Sequence, residues 1–85
     1  MPLTASGNKS SSSISIFPNP TSNVLFIKDA RLYSEYVIVS VSGQIIHKGR
    51  ITGSNIDVRA LPTGTYILRL TDPNRVVYSK SFIKN

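Results

Sequence analysis

Cysteine and tryptophan are absent from this chain, and one histidine and four carboxylates are all that its 85 residues offer in the way of acid–base groups near neutral pH. Without Cys there are no disulfide staples and no thiolate ligands for a structural zinc, so stability has to come from packed aliphatic and aromatic side chains. The same absence leaves the redox compartment open, because secreted and cytosolic proteins alike can lack disulfides. Catalysis is short of raw material as well. An enzyme needs a nucleophile, a base or a metal held in a constellation, and His47 stands alone beside Ile45, the setting of a satisfied or solvated imidazole. Asp29, Glu35, Asp57 and Asp72 are far apart, whereas a calcium loop spaces its ligands two residues apart. Gly43, Gly49, Gly53 and Gly64 precede no predicted helix and so fit no phosphate cradle. The expectation is a chain with no catalytic residue, no metal and no cofactor.

Long apolar runs are missing too. None exceeds the four residues of 36–39, where a membrane helix needs about 20. Residues 1–7 lack the basic-then-apolar pattern of a signal peptide, so the chain reads as a piece of something longer, opened by a linker that is native or appended. Through residue 13, with Ser6, Gly7, Asn8, Lys9 and then Ser10, Ser11, Ser12 and Ser13, there is almost nothing to bury, and residues 1–13 are expected to be flexible. The fold is expected to occupy residues 14–85.

Acids are scarce relative to bases: ten Lys and Arg against four Asp and Glu give a formal charge of +6. Phosphate-tracking proteins concentrate such charge, but here Lys28, Arg31, Lys48, Arg50, Arg59, Arg69, Arg75, Lys80 and Lys84 are spread along the chain with no run of three and no helical stripe. A solvated basic surface is expected, with no nucleic-acid partner.

What is present is strand. Short runs rich in Val, Ile, Tyr and Phe alternate with Gly, Pro, Asn, Asp and Ser clusters every eight to twelve residues, the pattern of an all-β sandwich or barrel. Seven strands are predicted, at 14–17, 24–28, 35–41, 44–48, 55–58, 65–71 and 76–83. Asp72-Pro73-Asn74-Arg75 predicts a tight hairpin, since Pro73 presets φ and Asp72 can bond back to the backbone. Ser42-Gly43 predicts a two-residue hairpin loop. Leu61-Pro62-Thr63-Gly64 predicts a turn with Gly64 left-handed before the next strand. Period-two alternation buries Tyr66, Leu68 and Leu70 and leaves Arg69 in solvent, and it points Ile56 and Val58 inward opposite Asp57. Residues 35–41 are apolar on both faces, which predicts a central strand covered on both sides. Core packing is the expected use of Tyr66 and Phe26.

At Phe17-Pro18-Asn19-Pro20-Thr21-Ser22-Asn23-Val24-Leu25 the chain resembles the opening of the type A C-terminal sorting domains of the type IX (Por) secretion system of Bacteroidetes. Asn19 precedes a proline and is held out of the helical region, so Pro18, Asn19 and Pro20 make a stiff corner. The likeness continues at Val39-Ser40-Val41-Ser42-Gly43-Gln44, and again at Ile56-Asp57-Val58-Arg59-Ala60-Leu61-Pro62-Thr63-Gly64-Thr65-Tyr66-Ile67-Leu68-Arg69. It closes at Lys80-Ser81-Phe82-Ile83-Lys84-Asn85. Motif positions are thus Pro18, Asn19, Pro20, Gly43, Leu61, Pro62, Gly64 and Tyr66. One departure is Ser40, where many members carry Asp or Asn; it is expected to alter a turn-side hydrogen bond and leave the fold intact.

The resemblance implies an immunoglobulin-like antiparallel β-sandwich that serves as a secretion signal and has no enzymatic role. It implies a cargo that reaches the periplasm, crosses the outer membrane through the type IX shuttle and translocon, and ends at the cell surface or secreted. A sortase-like cysteine peptidase would cut before the domain, which places the cleavage zone at Ser10, Ser11, Ser12 and Ser13. The recognition element implied is the last strand, with Lys80, Phe82, Ile83, Lys84 and Asn85. Two roles stay open for it: lysines guarding an edge against aggregation, or docking by strand addition with Phe82 or Ile83 filling pockets. Exposed edges also leave a strand-swapped homodimer open. The alternative function is an immunoglobulin-like adhesion or carbohydrate-binding module using Tyr33 and Tyr78.

Overall fold

A computed structural model of the chain describes residues 14–85. All seven predicted strands are found: β1 (Ile16–Phe17), β2 (Val24–Ile27), β3 (Glu35–Ser40), β4 (Ile45–Arg50), β5 (Asn55–Asp57), β6 (Gly64–Thr71) and β7 (Val77–Lys84). They form two antiparallel sheets, β1-β2-β5 and β4-β3-β6-β7. That order is an immunoglobulin-like sandwich in which the strand after β3 stays on the larger sheet. A 3-10 turn, Ala30–Leu32, follows β2. Nothing in the local sequence announces it, since it is closed only by backbone bonds from Leu32 N–H to Asp29 C=O and from Tyr33 N–H to Ala30 C=O.

The alternation does what period two requires. Ile14, Ile16, Leu25, Ile27, Ile56 and Val58 face inward from the small sheet and meet Ile38, Tyr66, Leu68, Leu70 and Phe82 from the large one. Arg69 is exposed as expected. Phe26 corrects the expectation made for it. Pairing of β2 with β5 turns Leu25 and Ile27 inward, which puts Phe26 on the opposite face, 38% exposed and stacked on Phe17 at 5.7 Å.

The turns refine the strand ends. Asp72 behaves as predicted: its Oδ1 accepts from the N–H groups of Asn74 and Val76, both at 2.9 Å, and its carbonyl accepts from Arg75 N–H. Three residues, not two, lie between the hydrogen-bonded pair Ser40 and Gln44 at the β3–β4 connection. Ser40 N–H donates to Gln44 C=O and Gly43 N–H to Ser40 C=O, both at 2.9 Å, and Gly43 has a φ of 92°, a left-handed value that favours glycine. The extra loop residue takes Val41 out of β3, so it is 70% exposed and not a second covered face. The Ser40 Oγ accepts from Gln44 N–H at 3.2 Å and lies 2.8 Å from Ser42 Oγ. Gly64 starts β6 in extended backbone, φ 159°, where a left-handed turn residue was expected. The turn ahead of it lies earlier, closed by Leu61 N–H on Val58 C=O.

A candidate docking site at the end of the last strand

The motif residues that were scattered in sequence meet around the end of β7. Thr21 forms a parallel bridge with Lys84. Thr21 N–H donates to Ile83 C=O and Asn85 N–H donates to Thr21 C=O, both at 2.8 Å. The Asn19 side chain completes the contact, its Oδ1 accepting from Ile83 N–H at 2.8 Å. The corner is held in turn by the Thr21 hydroxyl, which donates to Val24 C=O at 2.8 Å. Both X-Pro bonds of the corner, Phe17-Pro18 and Asn19-Pro20, are cis.

The second motif arrives from the other side. Tyr66, at the start of β6, turns its hydroxyl back to donate to Pro62 C=O at 2.6 Å, and its ring stacks on Phe82 at 5.7 Å. A tyrosine bonded to the backbone four residues upstream at this strand is the tyrosine corner of immunoglobulin-like sandwiches. Sequence reasoning placed Tyr66 in the core and missed the hydrogen bond, although the Pro-x-Gly-x-Tyr spacing carries it. Leu61 is buried beneath the same turn. Gly43 stays apart from these contacts and serves the β3–β4 loop. Tyr66→Phe removes this part-buried bond, so it is expected to cost about 0.5–1.5 kcal/mol, read as a lower urea midpoint at unchanged slope.

The predicted recognition residues divide by exposure. Phe82 is 1% exposed and belongs to the core, which corrects the idea that its ring can fill a partner's pocket in the folded domain. Lys84 is buried too, between Gly64 on β6 and Thr21 on the corner, with its ammonium donating to Asn85 C=O at 3.0 Å. It is therefore no guard of an open edge. Lys80, Ile83 and Asn85 reach solvent.

Edge geometry follows from the same bonds. The N–H and C=O of Ile83 point away from β6 and are already satisfied, so by the two-residue alternation of an antiparallel ladder Val77, Ser79 and Ser81 also point theirs outward. Residues 77–81 can accept an added strand, and the end of β7 is closed. The predicted cleavage residues Ser10, Ser11, Ser12 and Ser13 lie outside the described residues.

Residues 15–85 match the family model of the secretion system C-terminal sorting domain. The chain belongs to that family. No curated protein matches it at a comparable level. The match makes this a type IX C-terminal sorting signal, in a family that is not one of enzymes, and implies export of its cargo to the cell surface or beyond.

Elsewhere the sorting domain holds less. Among the described residues no group of His, Asp and Glu is arranged to hold a metal. Tyr33 and Tyr78, the alternative carbohydrate platform, pack edge to face at 5.5 Å, with the Tyr78 hydroxyl on Asp72 at 3.1 Å. Rings used on each other and on Asp72 offer no shared flat surface for a sugar. Burial, then Asp29 and Asp72, push the Tyr33 hydroxyl above the ordinary phenol range.

Asp57 is the one acid strongly perturbed. Hydrogen bonds from the Arg59 guanidinium, then from its backbone N–H, lower the Asp57 carboxyl from the ordinary 3.8 to about 2. A depressed carboxyl contributes stability above its unfolded value and loses it as pH falls through the folded one. The small contribution of this exposed pair is thus expected to be constant at neutral pH and to vanish only in strong acid. An NMR titration of the Asp57 side chain reads it directly: a midpoint of about 2 is expected, and one at the ordinary 3.8 contradicts the pairing.

Proposed function

We propose that the sorting domain is read as a folded unit, by an outer-membrane shuttle that recognises the end of β7 and passes the cargo from the periplasm to the translocon. A sortase-like cysteine peptidase then cuts the linker in the zone of Ser10, Ser11, Ser12 and Ser13. The observation supporting this reading is the convergence of two motifs, the Pro18-Asn19-Pro20 corner and the Tyr66 corner, on the last four residues. The two corners fix the position and direction of the last four residues, as a recognition element read in the folded state requires. In this reading Phe82 and Lys84 shape the edge from within, Lys80 and Ile83 touch the partner, and the open backbone at 77–81 offers strand addition.

A reporter carrying the 85-residue chain at its C-terminus tests it in a type IX-competent bacterium. Surface display is expected, and Lys80→Glu with Ile83→Ser is expected to reduce it without changing the thermal melt. Retention of the folded parent fusion in the periplasm sinks the proposal.

A further inference from the structure

A sheet with one face on the core and one in water alternates apolar in and polar out, and the outer face of the large sheet breaks that rule in the half nearest the β3–β4 loop. One cross-strand row there is Ile45, Val39 and Ile67, with Ile83 diagonally adjacent through Thr65. Val39, in the middle of the row, is 0% exposed and lies outside the core cluster. Ile45 and Ile83 remain 58% and 46% exposed. Ile46, the extra residue where the β3–β4 register shifts, and Val41 in the adjoining loop enlarge the apolar area.

The other half of the face is cationic. Lys48 and Arg69 flank Val37 in one row, about 10 Å apart across two strand spacings, and Arg50 lies about 7 Å from Lys48 along β4. Arg75 sits at the far end beside Glu35, Thr71 and Val77. All four cations are exposed, and among the described residues the ion pairs are those of Arg31 and Arg59, so none of the four is paired. Glu35 is the single acid on these strand positions, opposite Arg50.

From this we infer that the outer face of β4-β3-β6-β7 is a docking surface for a protein whose own surface carries an apolar patch beside a cluster of carboxylates. The inference rests on the reading above and extends it, because Ile83 belongs both to the clamped end of β7 and to this face. Charge complementarity selects the acidic partner: unpaired cations at 7–10 Å spacing draw carboxylates and set register, while the valine and isoleucine row provides the desolvated centre of an interface. A lipid surface fits less well. Interfacial anchoring uses Trp and Tyr, and none of the four Tyr and three Phe of the chain lies on this face.

The test uses the reporter fusion with two variants, Lys48→Glu/Arg50→Glu/Arg69→Glu and Ile45→Ser/Ile67→Ser, and a neutral control, Lys48→Gln/Arg50→Gln/Arg69→Gln. Thermal melts confirm folding, and flotation with phosphatidylglycerol vesicles at physiological salt reports lipid binding. Export is expected to fall about tenfold or more in the charge reversal, the factor carried by about 1.4 kcal/mol of lost affinity, with a smaller loss in the neutral control and no vesicle binding by the parent. Parent-like export of the folded charge-reversal variant overturns the docking surface while leaving the end of β7 in place as the signal. Tight vesicle binding by the parent that disappears together with export assigns the face to lipid and overturns it too. A folded parent that is not exported removes the underlying reading, and this inference with it. Should the Ile pair unfold the domain, the exposed charge variants decide alone.

Discussion

Phe82→Ala is expected to abolish the cooperative thermal transition of the sorting domain at physiological temperature. Phe82 is among the largest fully buried side chains, stacked on the ring of Tyr66 and packed between the two sheets two residues before the end of the last strand. Truncating a buried Phe costs about 3–5 kcal/mol, and one hydrophobic core in a domain this small rarely supplies more than about that amount in total. With no Cys in the chain, no disulfide remains to hold the ends. Circular dichroism melts check the expectation, and Phe82→Leu, which keeps most of the volume, should restore a transition at lower temperature. A Phe82→Ala domain that melts within a few degrees of the parent means that the last strand is not part of the cooperative unit.

Asn19→Ala combined with Thr21→Val is expected to release the end of β7 while leaving the core packed. The first change takes the acceptor from Ile83 N–H; the second removes the hydroxyl that donates to Val24 C=O and holds the corner. Thr21 is almost fully buried, so its loss leaves an unsatisfied carbonyl at about 1–3 kcal/mol, whereas the exposed Asn19 bond is worth about 0.5–1.5 kcal/mol. A summed loss of roughly 1.5–4.5 kcal/mol is large for a domain of this size. Native-state amide exchange locates it: Ile83 and Asn85 should lose protection while Leu68 and Leu70 in the middle of β6 exchange only by global unfolding. Equal acceleration at all four amides contradicts a separate clamp. In the reporter, export of this variant should fall further than its stability loss alone accounts for.

Strand existence was legible wherever alternation was clean. In β6 the single Arg69 among apolar neighbours sets the parity, and burial of Tyr66, Leu68 and Leu70 follows from it. In β2 all four residues are apolar, so no parity is readable, and Phe26 was assigned to the wrong face. Val41 misled for a different reason: a loop of three residues and one of two look alike when the turn offers only Ser and Gly. Lys84 read as solvated because a lysine usually is, yet Thr21 and Gly64 close over its stem while its ammonium finds Asn85.

Resemblance to a family, and not spacing, marked the motifs as those of a secretion signal; the residue types and their spacing determined by themselves an all-β domain of seven strands with stability from aliphatic packing. These are local properties, set by turn chemistry and by which side of a pleat each residue occupies. Only the tertiary structure decided what the motifs do. The Asn19 bond to Ile83 spans 64 positions of sequence, and no periodicity or propensity acts over that distance. The contact exists because the order of strands in two sheets brings the opening corner beside the closing edge, within reach of the outward-pointing N–H of Ile83.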